Sequence, residues 1–147
     1  MADATTETGQ QVHQPNLMLK TLERLVGTWN VADQKISGQV TFEWMGGGGF
    51  LIQHVDLVHD GHQIKGIEYI GYHNESKSLR SYYFDSTGYI LEYEWEISGD
   101  TLTIWGGTKG SAAKFTGKFS VDGNSNAGAW EWPGGGYEST MTRANRT

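Results

Sequence analysis

Residues 50–73, with the sequence FLIQHVDLVHDGHQIKGIEYIGYH, constrain the fold more than any other part of the chain. Asp60 and Gly61 stand at the centre of this segment, and an Asp-Gly pair favours a two-residue turn between antiparallel strands. Counting outward from that turn along both strands places Gln53 opposite Glu68. The segment is therefore predicted to be a β-hairpin with a defined register.

In this register, one face of the hairpin is apolar except for Gln53 and Glu68, whereas the other face pairs Asp56 with Lys65, as suits a solvated surface. An amide and a carboxylate inside an apolar surface cost free energy unless something uses them. A carboxylate in a low-dielectric cavity tends toward a raised pKa and can act as a general acid or base. We therefore take Gln53 and Glu68 as the first candidate site. Two alternatives are a polar pair that only fixes strand register, and a hairpin whose faces are exchanged.

A second hairpin is predicted around Asp85-Ser86-Thr87-Gly88, which fits a type I turn followed by a glycine bulge. Asp favours the first position of such a turn, so Asp85 is interpreted as a turn residue. One face of this hairpin is aromatic, and its candidate ligand-binding residues are Ser81, Tyr83, Tyr93 and Trp95. Phenols on a cavity wall can donate hydrogen bonds to a ligand while their rings pack on its body. The alternative is that these side chains are core.

The remaining sequence predicts about ten short strands joined by tight turns, in keeping with 21 glycines and only 2 prolines. A short helix is expected over LMLKTLERL, ended by Gly27. No interval between strands is long enough for a crossover helix, so the expected fold is all-β: a single antiparallel up-and-down β-barrel. The side chains of Trp44, Trp130 and Phe42 are predicted to point inward and to line the pocket. Trp29 is expected to plug one end, and Trp105 and Trp132 to face outward as a possible homodimer surface.

Composition limits the function classes. The net charge of −6 and scattered basic residues argue against a nucleic-acid partner. The absence of cysteine excludes disulfides and thiolate metal sites and is compatible with a cytoplasmic location. No apolar stretch is long enough for a membrane span, and residues 1–15 read as a disordered or extended arm before one domain at residues 16–147. No cofactor and no metal site are expected, since His59, Asp60 and His62 read as a solvated turn.

Several segments together resemble known proteins: LERLVGTW, FEWMGGGGFLIQ, IKGIEYIGY, YYFDSTG, GDTLTIWGG, and FSVDG leading to GAWEWPGGGYESTM. They are similar to an uncharacterised bacterial family of small lipocalin-like (calycin) barrels. The resemblance implies a barrel with a cavity, and the Gly-x-Trp element closes one end of such barrels. The related nitrobindin-type barrels hold haem through a histidine late in the chain. The last histidine here is His73, so haem binding is not implied.

The leading hypothesis is a protein that binds a small, mostly apolar or aromatic molecule inside the barrel. Gln53, Glu68, Tyr83 and Tyr93 would fix the polar end of that ligand. An alternative is a small cofactor-free enzyme, an isomerase, cyclase or lyase, with Glu68 shuttling a proton and Tyr83 or Tyr93 stabilising an oxyanion. A second alternative is a structural dimer whose barrel is filled and has no cavity.

Overall fold

The computed structural model describes residues 16–146 of the chain. The arm predicted for residues 1–15 lies outside the described residues. The first element is a short α-helix, α1 (Leu17–Lys20), which continues as a turn of 3-10 helix (Thr21–Leu25). Asn16 caps α1, because its Oδ1 atom accepts a hydrogen bond from the Met18 backbone N–H at 2.7 Å. The predicted helix therefore forms, with its second half wound more tightly than an α-helix.

Ten strands follow the helix, as the turn spacing predicts. They are β1 (Gly27–Ala32), β2 (Ile36–Trp44), β3 (Leu51–His59), β4 (His62–His73), β5 (Ser78–Asp85), β6 (Ile90–Ser98), β7 (Thr101–Gly106), β8 (Lys114–Phe119), β9 (Ser125–Trp132) and β10 (Gly135–Asn145). Each strand pairs antiparallel with its neighbours in sequence, and β10 pairs with β1 to close the barrel. The all-β, up-and-down barrel is confirmed. No helix among residues 16–146 has the length and hydropathy needed to cross a bilayer.

Both predicted hairpin registers are confirmed. Gln53 lies opposite Glu68 in the β3–β4 pair. A type I turn with a glycine bulge at residues 85–88 predicts Leu79 opposite Trp95, and the β5–β6 pair has this register. Glu68 is 6% exposed and faces the interior, so the alternative with exchanged faces is wrong. The alternation of Phe115, Phe119 and Val121 in the sequence predicts that Val121 continues the inner face of β8, which is wrong because Val121 is fully exposed. That strand ends at Phe119, because Asp122 draws the chain into the following turn.

One end of the barrel is closed by the N-terminal helical segment. Leu19, Leu22 and Leu25 are fully or almost fully buried and pack into the core. Trp29 lies directly beneath them, and its indole Nε1 donates to the Leu25 carbonyl at 2.7 Å. Arg143 of β10 stacks on the Trp29 ring, with 4.1 Å between the guanidinium carbon and the ring centroid. Trp29 is thus the plug that the Gly-x-Trp segment predicts.

The other end of the barrel, which we call the mouth, carries the turns at Asp60-Gly61, residues 86–89, residues 107–113 and residues 133–134. No helix among the described residues covers this end. The glycine run at residues 46–49 joins β2 to β3 at the closed end and not at the mouth. The cavity described next lies in the barrel interior between this closed end and the mouth.

Candidate functional site

The barrel interior holds a cavity of about 400 Å³. Small-molecule sites in proteins measure roughly 300–1,000 Å³, so this volume suits a small ligand. All ten strands contribute to its wall, and most of the wall is apolar. The lining includes Phe42, Val55, Leu102, Phe115 and Trp130. Of the side chains predicted to form the pocket, Gln53, Glu68, Tyr83, Tyr93, Trp95, Phe42 and Trp130 line this cavity.

Glu68 is the carboxyl group of the cavity wall. Its Oε2 atom accepts hydrogen bonds from the Ser81 hydroxyl at 2.5 Å and from the Trp95 indole N–H at 3.3 Å. Its Oε1 atom makes no hydrogen bond within residues 16–146. Burial raises the pKa of Glu68 from 4.5 to about 7, and the two hydrogen bonds only partly oppose that rise. Near neutral pH, the neutral and ionised forms are therefore present in comparable amounts.

Ser81 is predicted to bind ligand, but it lies behind the carboxyl of Glu68 and does not border the cavity. It is 2% exposed, and its hydroxyl oxygen also receives the Trp95 indole N–H at 3.0 Å. Ser81 and Trp95 together hold Oε2 of Glu68 in a fixed position. This arrangement leaves Oε1 as the oxygen through which Glu68 can meet a ligand.

Two further polar groups on the wall are unpaired. The Gln53 amide makes no hydrogen bond among the described residues, and no bond joins it to Glu68 across the strand pair. The Tyr93 hydroxyl likewise has no hydrogen-bond partner in residues 16–146, while the Tyr93 ring packs on Trp130 at a centroid distance of 6.0 Å. Burial, followed by the charge of Glu68, raises the pKa of Tyr93 to about 12. Tyr93 thus remains a neutral phenol at physiological pH, able to donate or accept.

Tyr83 lines the cavity, but its hydroxyl hydrogen is already used. It donates to Asp85 Oδ1 at 2.6 Å, and burial together with this bond raises the pKa of Tyr83. Asp85 is in turn held by Thr87, whose side-chain hydrogen bond is the first cause of its lowered pKa. The ring has space because residue 66 is glycine: a Cβ there would lie 2.6 Å from the Tyr83 hydroxyl oxygen. The predicted role of Tyr83 as an oxyanion donor conflicts with this engagement, whereas Tyr93 is free.

The mouth of the cavity is lined by three aromatic side chains that were not predicted as site residues. The His59 and Tyr137 rings lie 4.3 Å apart between centroids, and Trp132 lies 6.0 Å from Tyr137. Burial raises the pKa of Tyr137 to about 12, with a smaller effect from Asp60. Strand alternation could have identified His59 as a site residue, because it is separated from Gln53 by an even number of positions on β3 and therefore also points inward.

Two tryptophans do not lie where the sequence reading places them, and a third lies on the predicted face but is covered. Trp132 lies two residues after Trp130 on β9, so both side chains point to the same face, and Trp132 lines the mouth. The prediction that Trp132 faces outward is therefore wrong. Trp44 faces inward at the closed end but does not line the cavity; its indole donates to Glu23 of the helical segment at 2.8 Å. Trp105 does lie on the outer face, yet it is only 8% exposed, because Lys109 lies over its ring.

Other strands carry apolar side chains that are well exposed on the outer face. Val58, Ile67, Tyr82, Phe84 and Ile90, on β3 to β6, are 36–61% exposed. Trp105 and Trp132, predicted as a possible homodimer surface, are not among these outward and exposed side chains. Among residues 16–146, no three His, Asp or Glu side chains are grouped as a metal site requires.

The fold and the site together describe a closed ten-strand barrel with a short helix at one end and a ligand-sized cavity inside, consistent with a calycin-like architecture. Comparison of the chain with protein-family models and with curated proteins gave no match.

Proposed function

We propose that the protein binds a small, mostly apolar or aromatic molecule inside the barrel. The observation that carries this proposal is a largely apolar cavity of about 400 Å³ whose wall holds polar groups with free hydrogen-bonding capacity, among them the Gln53 amide, Oε1 of Glu68 and the Tyr93 hydroxyl. These groups open onto the cavity and are not sealed in packed protein, so a molecule that enters the cavity can reach them. A ligand could hydrogen-bond to them with its polar end while its body covers the aromatic wall.

Filling the cavity from its own wall tests this proposal. Val55 lines the cavity on β3 and is 8% exposed, while Val58 on the same strand points outward and is 44% exposed. The Val55→Phe variant is expected to bind the uncharged fluorophore N-phenyl-1-naphthylamine about tenfold more weakly than the wild type, because the added ring occupies the ligand's volume. Fluorescence titration measures the affinity, and Val58→Phe is the matched control. Equal affinities for the two variants, or no binding by the wild type, would contradict cavity binding.

An enzyme in the same cavity is the second candidate, and the pKa of Glu68 favours it. A carboxyl with a pKa of about 7 is suited to passing a proton in both directions at neutral pH. Tyr93 could stabilise an oxyanion beside it, which would suit isomerisation, cyclisation or elimination of a ketone- or enol-type substrate.

The Glu68→Gln variant separates the two candidates once a ligand is in hand. If the protein is an enzyme, this variant loses turnover, measured as conversion of the ligand, while it retains binding. The exposed Glu92→Gln variant of β6 serves as the control and keeps full turnover. Unaltered ligand with the wild type argues for binding alone, whereas equal turnover in both variants would show an enzyme in which Glu68 does not carry the proton.

The remaining expectations concern assembly, family and location. A dimer with a filled barrel predicts no cavity, and the 400 Å³ volume weighs against it. Membership of a bacterial lipocalin-like family rests on the sequence segments alone. A cytoplasmic location rests on the absence of cysteine. Both remain part of the proposal.

A further inference from the structure

The cavity wall has an acidic side chain but no lysine or arginine among the described residues. Glu68 is the one carboxyl group among the lining side chains, and neither lysine nor arginine lines the cavity in residues 16–146. The whole chain has a net charge of −6, so its long-range field also favours cations. An anionic ligand would find no counter-charge in this cavity. A neutral ligand would leave any negative charge on Glu68 unpaired in an apolar environment.

The wall is also unusually rich in aromatic rings. Eight aromatic side chains of Phe, Tyr and Trp line the cavity, among them Trp95, which donates to Glu68, and Tyr93, whose ring packs on Trp130. The face of an aromatic ring carries partial negative charge, which attracts cations and repels anions. The wall therefore suits a positively charged group that stays close to an apolar body.

The free polar groups match the hydrogen-bonding needs of one such cation. A primary ammonium group has three donors and no acceptor. Oε1 of Glu68, the side-chain oxygen of Gln53 and the hydroxyl oxygen of Tyr93 are three acceptors without partners among the described residues. Each of them lies on the wall of the same cavity.

We propose that the cavity selects a protonated amine attached to an aromatic or apolar body, with the ammonium group paired to the Glu68 carboxylate. This inference rests on the proposed binding function and adds the chemical class of the ligand. The binding of such a cation draws Glu68 into its ionised form. Affinity for an amine should therefore fall as the pH is lowered and a proton competes for the carboxylate.

Other titratable groups around the cavity have to be separated from Glu68. The lining contains Tyr83, Tyr93, Tyr137 and His59, with Asp85 and Asp60 beside two of them. The three phenols have raised pKa values and stay neutral between pH 5.5 and 8. His59 lies at the mouth, so a His59→Gln variant removes its contribution without touching Glu68.

Three probes with nearly the same body test the inference: 2-phenylethylamine, 2-phenylethanol and 3-phenylpropanoate. Isothermal titration calorimetry is run at pH 8 and pH 5.5. At pH 8, the amine is expected to bind about tenfold or more tightly than the alcohol, which is what a charge-assisted hydrogen bond supplies, and the carboxylate most weakly. The preference for the amine should shrink at pH 5.5. It should disappear in Glu68→Gln and persist in Glu92→Gln and His59→Gln.

The possible failures are distinguishable. Equal or tighter binding of the alcohol at pH 8 overturns the amine assignment but leaves the binding function standing. An amine preference that survives Glu68→Gln overturns the pairing with Glu68. If none of the three probes binds while N-phenyl-1-naphthylamine still does, the amine inference fails and cavity binding stands. If the fluorophore also fails to bind, both proposals fall.

Discussion

The Glu68→Gln variant is expected to have a higher free energy of unfolding than the wild type at pH 8, by about 3 kcal/mol, and nearly the same value at pH 4. Glutamine has almost the shape of a neutral glutamic acid. Its amide oxygen can accept the same hydrogen bonds from Ser81 and Trp95 that Oε2 of Glu68 accepts. The substitution therefore keeps the local structure and removes only the ability to ionise.

The sign follows from the direction of the pKa shift. Folding raises the pKa of Glu68 from 4.5 to about 7, mainly by burial, so the folded state holds this proton more tightly than the unfolded chain. The stabilisation is complete below pH 4.5. It declines as the pH rises from 4.5 and is lost above about pH 7, because the unfolded state then gains from ionisation. The glutamine variant has no such decline.

Urea denaturation followed by tryptophan fluorescence at several pH values between 4 and 8 measures this difference. Glu92, exposed on the outer face of β6, provides the matched control, and Glu92→Gln should follow the wild type at every pH. A stability difference between wild type and Glu68→Gln that stays constant with pH would show that Glu68 titrates as an ordinary carboxyl. That outcome would contradict the assignment of Glu68 to a buried position on the cavity wall, and its unpaired oxygen would need another explanation.

Much of the fold follows from local sequence rules. The Asp60-Gly61 turn and strand alternation were sufficient to place Gln53 opposite Glu68, because a two-residue turn fixes the register of both strands. Consecutive hairpins with no long interval left the antiparallel barrel as the expected architecture. These inferences succeed because they depend on neighbours in sequence.

The errors concern interactions between distant segments. Strand alternation alone cannot tell how far along the barrel an inward side chain lies, so Trp44 was assigned to the pocket when it contacts Glu23 at the closed end. A side chain can also be outward and still covered, as Trp105 is by Lys109. The hydrogen bond that the Tyr83 hydroxyl donates to Asp85 depends on the shape of the turn that follows β5. In contrast, His59 and Trp132 could have been placed at the mouth by continuing the alternation already assigned to their strands.

Arg143 makes interactions that the sequence could not reveal. In the sequence, it is recognisable only as the end of the last strand. Its guanidinium donates to the backbone carbonyls of Val26 at 2.5 Å and Arg24 at 2.7 Å, more than a hundred positions away in the chain. It also donates to the carbonyl of Gly123 at 3.3 Å and to Asn124 Oδ1 at 3.2 Å. These bonds tie the helical segment and the turn before β9 to the closed end of the barrel.

Replacing Arg143 with methionine is expected to lower the free energy of unfolding by about 3 kcal/mol or more. Methionine keeps an apolar stem beside the Trp29 ring but leaves the Val26 and Arg24 carbonyls without their charged donor, and a hydrogen bond to a charged group contributes about 1.5–3 kcal/mol. Urea denaturation measures the loss.

Arg146→Met is the control for the loss of a positive charge at the same end of β10. Arg146 is exposed and donates to the Asn124 side chain at 2.8 Å, so its replacement should cost less than about 1 kcal/mol. Arg143→Lys should fall between the two, because an ammonium keeps the charge but cannot span several carbonyls and stack on Trp29 at once. Equal stability of Arg143→Met and Arg146→Met would mean that buried leucines alone hold the helical segment in place, and that the floor of the cavity does not depend on this arginine.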